Sequence, residues 1–144
     1  MDTLIDRLQK NNIQPSFQRI KILEILDKKR EHMNVNLIYE EVSKEIPTIS
    51  KTTIYNSLKT FVEKGIIQCL TIVPEEIRYD FETAPHHHLL CKRCGRIFDV
   101  SVSCIYAETK EIEGHAIEEV HGYFKGVCKE CLSLERDQNN KIGR

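Results

Sequence analysis

The sequence predicts a mixed α/β (α+β) chain of two small domains. The first is helical and ends in a two-stranded sheet; the second is a smaller α/β unit pinned by cysteines. Three observations predict it. Through the first 65 residues, apolar side chains recur at three- and four-residue spacing, the period of a helix face. Residues 66–73 and 77–82 are rich in β-branched and aromatic side chains and are separated by Pro74-Glu75-Glu76, the pattern of two strands and a turn. Beyond residue 90, four cysteines fall into two Cys-x-x-Cys pairs. The domain boundary is expected at residue 82, giving 1–82 and 83–144.

Leu4, Ile5 and Leu8 lie at helical spacing in a short first helix that Asn11-Asn12 ends. Ser16 is suited to cap a second, because a serine oxygen can accept from first-turn N–H groups. Ile20, Ile22, Leu23 and Leu26 give that helix a broad apolar stripe. Ile38, Val42 and Ile46 recur every fourth residue in a third, which Pro47 stops because it has no N–H to donate. Ser50 caps a fourth with Ile54, Leu58, Phe61 and Val62 on its buried side, and Gly65 stands where a C-terminal cap is expected. Helices followed by a two-stranded wing make a winged helix-turn-helix, with the fourth helix as its reader. Opposite the buried stripe lie Lys51, Thr52, Tyr55, Asn56 and Lys59, a polar and basic face of the kind that enters a major groove. A solvated face of a small helical bundle would look the same.

Composition narrows the setting. With 40% hydrophobic and 30% charged residues, the 144-residue chain reads as globular. Charges at Asp2, Asp6 and Arg7 occupy the place of a signal peptide's apolar stretch, and no run of 18 apolar residues occurs. The expectation is a soluble, cytoplasmic protein without a membrane partner. Twenty-one basic against 22 acidic residues leave a net charge of −1. Nucleic-acid binders usually carry a basic footprint, so any DNA contact here must come from a local patch. Six cysteines in such a chain favour metal or redox chemistry over structural disulfides.

The second half opens with His86-His87-His88. A strand is expected at 96–102, a helix at 103–113 and short strands at 115–121 and 122–127. The polar tail 133–144 has nothing to bury and is expected to fray.

Two metal sites of different chemistry are expected. Cys91-Lys92-Arg93-Cys94-Gly95 is a compact chelating turn, and Cys128-Lys129-Glu130-Cys131 would complete a tetrahedron. Four thiolates select structural Zn²⁺ in a closed shell, against a redox disulfide pair or an iron–sulfur cluster. His86 and His88 alternate on a strand and so share a face, while His87 points away. With Asp80, Asp99 and His32 they make a nitrogen and oxygen donor set that suits Fe²⁺ or Mn²⁺, with Zn²⁺ able to compete. An exposed histidine tract with carboxylates in surface ion pairs is the plainer alternative.

Several motifs in order now carry a resemblance: Ser16-Phe17-Gln18-Arg19, Thr53-Ile54-Tyr55-Asn56-Ser57-Leu58, Arg78-Tyr79-Asp80-Phe81, His86-His87-His88-Leu89-Leu90-Cys91 and the two cysteine pairs. Over residues 5–132 the chain resembles the ferric uptake regulator family. The resemblance implies a homodimeric, metal-dependent repressor of palindromic operators, with residues 83–144 as its dimerisation domain. The family's regulatory ion falls on His32, Asp80, His86, His88 and Asp99. Binding of that ion and of DNA would be coupled reciprocally. Asp80 with Asp99, and Asn56 after Tyr55, resemble the peroxide-sensing branch, whereas iron sensors often carry Glu and Arg at such positions. In that branch, bound Fe²⁺ and H₂O₂ oxidise a ligand imidazole, here His32 or His86 by position; the ion leaves and DNA is released. Mn²⁺ lacks this chemistry. The alternative is an iron-uptake, less readily a zinc-uptake, repressor sensing metal level.

Helix face and resemblance together assign phosphate contacts to Arg19, Lys51 and Lys59 and base reading to Tyr55 and Asn56, with Thr53 beside them. Phe17 stands where the family usually has Pro. Counterparts of a further family metal site (Pro85, Tyr106 and Val120) are not ligands, although His87 and His121 could be, so two sites per chain are expected. Cys69 and Cys104 read as small buried hydrophobes. A thiol oxidoreductase or a metal hydrolase competes as an enzymatic reading; the expectation is that the protein is not an enzyme.

Overall fold

Helix ends in the N-terminal half are set by residues that cap them. In the computed structural model, which describes residues 3–73, 75–81, 87–102, 105, 106, 108–118, 120 and 122–142, α1 spans Leu4–Lys10. A capping box between Thr3 and Asp6 opens it, and the Asp6 carboxylate accepting from Thr3 is held below the usual aspartate range. It closes with left-handed Asn12, where Ile13 N–H donates to Leu8 O at 2.9 Å. Ser16 caps α2 (Phe17–Lys29), Asn34 caps α3 (Val35–Glu45) and Ser50 caps α4 (Lys51–Glu63). At the end of α4 the chain must reverse through φ +72°, which Gly65 adopts without a Cβ clash, and Ile66 N–H then reaches Phe61 O at 2.9 Å.

The chain divides into two compact units, Met1–Ala84 and Pro85–Arg144. In the first, β1 (Met33–Asn34), β2 (Gln68–Val73) and β3 (Glu76–Asp80) form an antiparallel sheet in the order β1-β3-β2. The two-residue β1 was not expected from sequence; it pairs Met33 with Tyr79 and Asn34 with Arg78. Ile22, Leu23, Ile38, Val42, Ile54, Leu58 and Phe61 are fully buried together with Leu8, Ile66 and Ile67. Each such side chain contributes about 1.5–3 kcal/mol of burial, so this unit has a continuous core of its own.

The second unit contains β4 (His87–Cys91), β5 (Ile97–Val100), β6 (Glu111–Ile112), β7 (His115–Ala116), β8 (Tyr123–Gly126) and α5 (Lys129–Ile142). Its sheet runs β5-β4-β8, with β5 antiparallel and β8 parallel to β4. Among its described residues only His88, Cys91, Ile97 and Cys128 are buried.

Three expectations fail here. No helix forms among the described residues of 103–113; Glu111–Ile112 instead pairs with His115–Ala116. Glu113 at φ +50° and Gly114 at φ +86° supply the two left-handed residues of a tight hairpin turn, a conformation that a helix through 113 would not allow. The strands expected at 115–121 and 122–127 shrink to β7 and β8. The tail expected to fray from 133 is helical through Ile142, and near its start Glu130 pairs with Arg96 and Glu135 with Arg93.

Candidate metal centres and DNA-facing helix

β4 delivers Cys91 into a turn that Gly95 closes at φ +73°, its N–H donating to Cys91 O at 2.9 Å. Lys92 N–H donates to Gly126 O, so the same turn meets the end of β8 and the start of α5, where Cys128 and Cys131 lie. The four sulfurs converge, with ligand atoms all within 4.8 Å of one another. Cys91 and Cys131 stand 3.8 Å apart, as do Cys94 and Cys128. Four sulfurs at about 2.3 Å from one tetrahedral ion lie about 3.8 Å from each other, so the donor set fits structural zinc. A disulfide would need sulfurs about 2 Å apart.

The backbone N–H groups of Cys128 (3.3 Å) and Cys94 (3.5 Å) donate to Cys91 Sγ. They lower its thiol to about 6. The backbone and guanidinium of Arg96 lower Cys94. Cys131 is pushed up to about 12, chiefly through Cys128, with burial and the other sulfurs adding to it. Crowded sulfur charge is what a dication would offset.

The nitrogen and oxygen donors occur as two pairs, one in each unit. In the first, His32 Nε2 lies 3.5 Å from Asp80 Oδ2, and both residues are 6% exposed. The pairing of Met33 with Tyr79 sets His32 beside Asp80 at the end of β3. His32 adopts φ +53°, a left-handed conformation that histidine tolerates better than most side chains. In the second unit, His88 and Asp99 are cross-strand partners, with Nε2 3.3 Å from Oδ1. His88 is buried and Asp99 is exposed. His87 turns to Phe124, ring to ring at 6.0 Å. His86 and Cys104 lie outside the described residues. Cys69, expected to be buried, is exposed because it falls on the outward register of β2.

On α4, Thr52, Tyr55, Asn56 and Lys59 are exposed. Lys51 is exposed too, but its ammonium donates to Asn36 Oδ1 at 2.9 Å and sits 5.4 Å over the Tyr39 ring. Thr53 is half-buried, its hydroxyl 2.9 Å from Ser50 Oγ. Arg19 donates to Gln14 O at 2.7 Å. It lines a groove of about 520 Å³ with Gln14, Gln18, Thr53, Asn56 and Thr60. Gln14, Gln18 and Thr60 were not among the DNA contacts expected from sequence, because no local spacing shows that the start of α2 lies beside α4.

Residues 10–124 match the ferric uptake regulator family. The chain belongs to that family. It is 35% identical over 138 residues to the peroxide-responsive repressor of Staphylococcus aureus, spanning 91% of this chain and 90% of the relative. A Campylobacter jejuni peroxide stress regulator of known structure shares 29% identity over 89% of this chain and 96% of its own, at a TM-score of 0.62. The fold is shared with the Helicobacter pylori ferric uptake regulator at a TM-score of 0.69 and 21% identity, over 88% and 87% of the two chains.

Proposed function

We propose that this family member is a homodimeric, metal-dependent repressor that binds palindromic operator DNA through α4 and senses peroxide by oxidation of a histidine ligand. The observation that carries the reading is the presence in each unit of one His–Asp pair, chemically distinct from the thiolate cluster. In this reading Cys91, Cys94, Cys128 and Cys131 hold a structural zinc. A regulatory ion, Fe²⁺ or Mn²⁺, takes His32, Asp80, His86, His88 and Asp99. An ion drawing donors from both units links occupancy to DNA binding reciprocally. The peroxide assignment is supported by the likeness to two peroxide regulators and by aspartate at both carboxylate positions.

The chain's own part in sensing is carried by imidazoles. Bound ferrous iron supplies the redox chemistry toward peroxide. The Cε1 of His32 or His86 gains one oxygen; the ring is oxidised by two electrons and the peroxide is reduced to water. A 2-oxo ring at His32 or His86 would be a poor donor, so the oxidised residues would no longer hold a metal and the operator binding coupled to it would weaken. Homodimerisation is supported by exposed Val102, Ile105, Tyr106 and Phe124 around an apolar groove of the second unit. Operator binding is supported by the exposed Tyr55, Asn56 and Lys59 and the groove at Arg19. Four thiols closing one shell leave no open coordination position, which argues against an enzymatic centre there. No helix among the described residues is long and apolar enough to cross a membrane, and the cytoplasm is the proposed compartment.

The test is peptide mass spectrometry after a brief, near-stoichiometric H₂O₂ pulse on Fe²⁺-loaded protein, with Mn²⁺-loaded protein as control. One added oxygen on His32 or His86 with iron alone, accompanied by loss of operator binding, is the expected result. Unmodified histidines despite bound iron would leave a repressor that senses metal level.

A further inference from the structure

Phe81 follows Asp80 directly, and two guanidiniums sit over its ring, Arg7 at 4.3 Å and Arg30 at 5.2 Å from the centroid. Both guanidiniums are also hydrogen-bonded. Arg7 Nη2 donates to Ile66 O at 2.6 Å and to Phe81 O at 3.5 Å, which ties α1 to the residues that lead into β2 and out of β3. Arg30 donates to Asp27 O at 3.1 Å and to Asp27 Oδ1 at 2.7 Å, so the end of α2 fixes its side chain. Arg30 also precedes His32 by two residues in a segment where both adopt left-handed φ, +44° and +53°. Such a conformation persists only when the surroundings over-determine it. The ring contact therefore joins the loop that carries His32 to the strand end that carries Asp80.

We infer that the Arg7–Phe81–Arg30 stack is a positioning device that holds the His32 imidazole against the Asp80 carboxylate in register to share one ion. The inference rests on the regulatory site proposed above. A guanidinium over an aromatic face gains more as it is desolvated; the Phe81 ring is buried and Arg7 is half-buried, so the Arg7 contact is worth more than that of Arg30, whose side chain is half exposed. The stack reaches the ion only through His32 and Asp80, which makes its members positioning residues and not ligands.

The experiment uses the full zinc-loaded chain and Mn²⁺, with free ion counted by electron paramagnetic resonance. Four variants are compared with the native chain: Phe81→Leu, Arg30→Met, Phe81→Trp and, as a control on the site itself, His32→Ala. Phe81→Leu and Arg30→Met are expected to weaken Mn²⁺ binding about threefold to tenfold. Phe81→Trp, which restores a π face, is expected to recover most of the loss. The ¹⁵N signals of the His32 ring in Mn²⁺-free protein should shift or broaden in Phe81→Leu and return in Phe81→Trp. Native Mn²⁺ affinity in Phe81→Leu, or equal weakening in Phe81→Trp, overturns the stack while leaving the site intact. Unchanged affinity in His32→Ala overturns the site reading instead.

Discussion

Within the thiolate cluster, Cys91 and Cys131 are displaced in opposite directions from the same ordinary value of 9.0. Two backbone N–H groups draw Cys91 down to about 6, while neighbouring sulfurs and burial push Cys131 up to about 12. A lowered thiol pKa favours the thiolate at every pH above the new value, so Cys91 meets an incoming ion already ionised at neutral pH. Cys131 meets it protonated, and that proton must be displaced. Zinc affinity is therefore expected to rise by about tenfold per pH unit for that proton between about pH 6 and pH 8. Competition with a chromogenic chelator at stepped pH measures this, and a pH-independent affinity would contradict it. The cysteines themselves were legible because two residues between thiolates is a chelating spacing wherever it occurs. Exposure of Cys69 was not, since alternation cannot say which face of a strand meets the core.

Among the elements, α4 was the most legible. Ser50, the Ile54–Leu58–Phe61 stripe and Gly65 stand at the cap, core and reversal positions, and the helix runs between them. Both ends are testable without touching the exposed polar face. Ser50→Ala leaves the Thr53 N–H without its acceptor and is expected to cost about 1 kcal/mol. Gly65→Ala forces a Cβ into φ +72° and is expected to cost about the same. Urea denaturation with an unchanged slope would register both, and Lys59→Ala should stay within about 0.5 kcal/mol of the native chain. The segment 103–113 went the other way because its periodicity was weak and the turn at Glu113-Gly114 decided the local structure. α5 was missed because its tail was read as having nothing to bury; the ion pairs of Glu130 with Arg96 and Glu135 with Arg93 touch only its first half and leave no trace in hydrophobic spacing.

The two units differ in what stabilises them. Met1–Ala84 holds the hydrophobic cluster from Leu8 to Phe81. Pro85–Arg144 has four buried residues among those described, and two of them are cysteines of the cluster. A unit this small, with so little apolar burial among its described residues, is expected to depend on the proposed zinc cross-link. Stripping the thiolate site with a strong chelator under reducing conditions is expected to deprotect backbone amides throughout residues 87–142. Amides of α1 to α4 should stay protected. Hydrogen exchange followed by mass spectrometry separates the two ranges, and equal deprotection of both would show that the first unit does not stand on its own core.

By itself the sequence determined the chelating cysteine pairs, the helical order of the first half and the wing, because spacing rules for chelation, helix faces and caps act within a few residues. Tertiary structure alone decided the contact of His32 with Asp80, the stack on Phe81 and the groove that joins Arg19 to Asn56. Those arrangements link residues 37 to 74 positions apart, and no local pattern encodes them. They arise when α1, the start and end of α2, α4 and the end of β3 are packed around one core. Packing, not sequence spacing, turns scattered donors into a possible site.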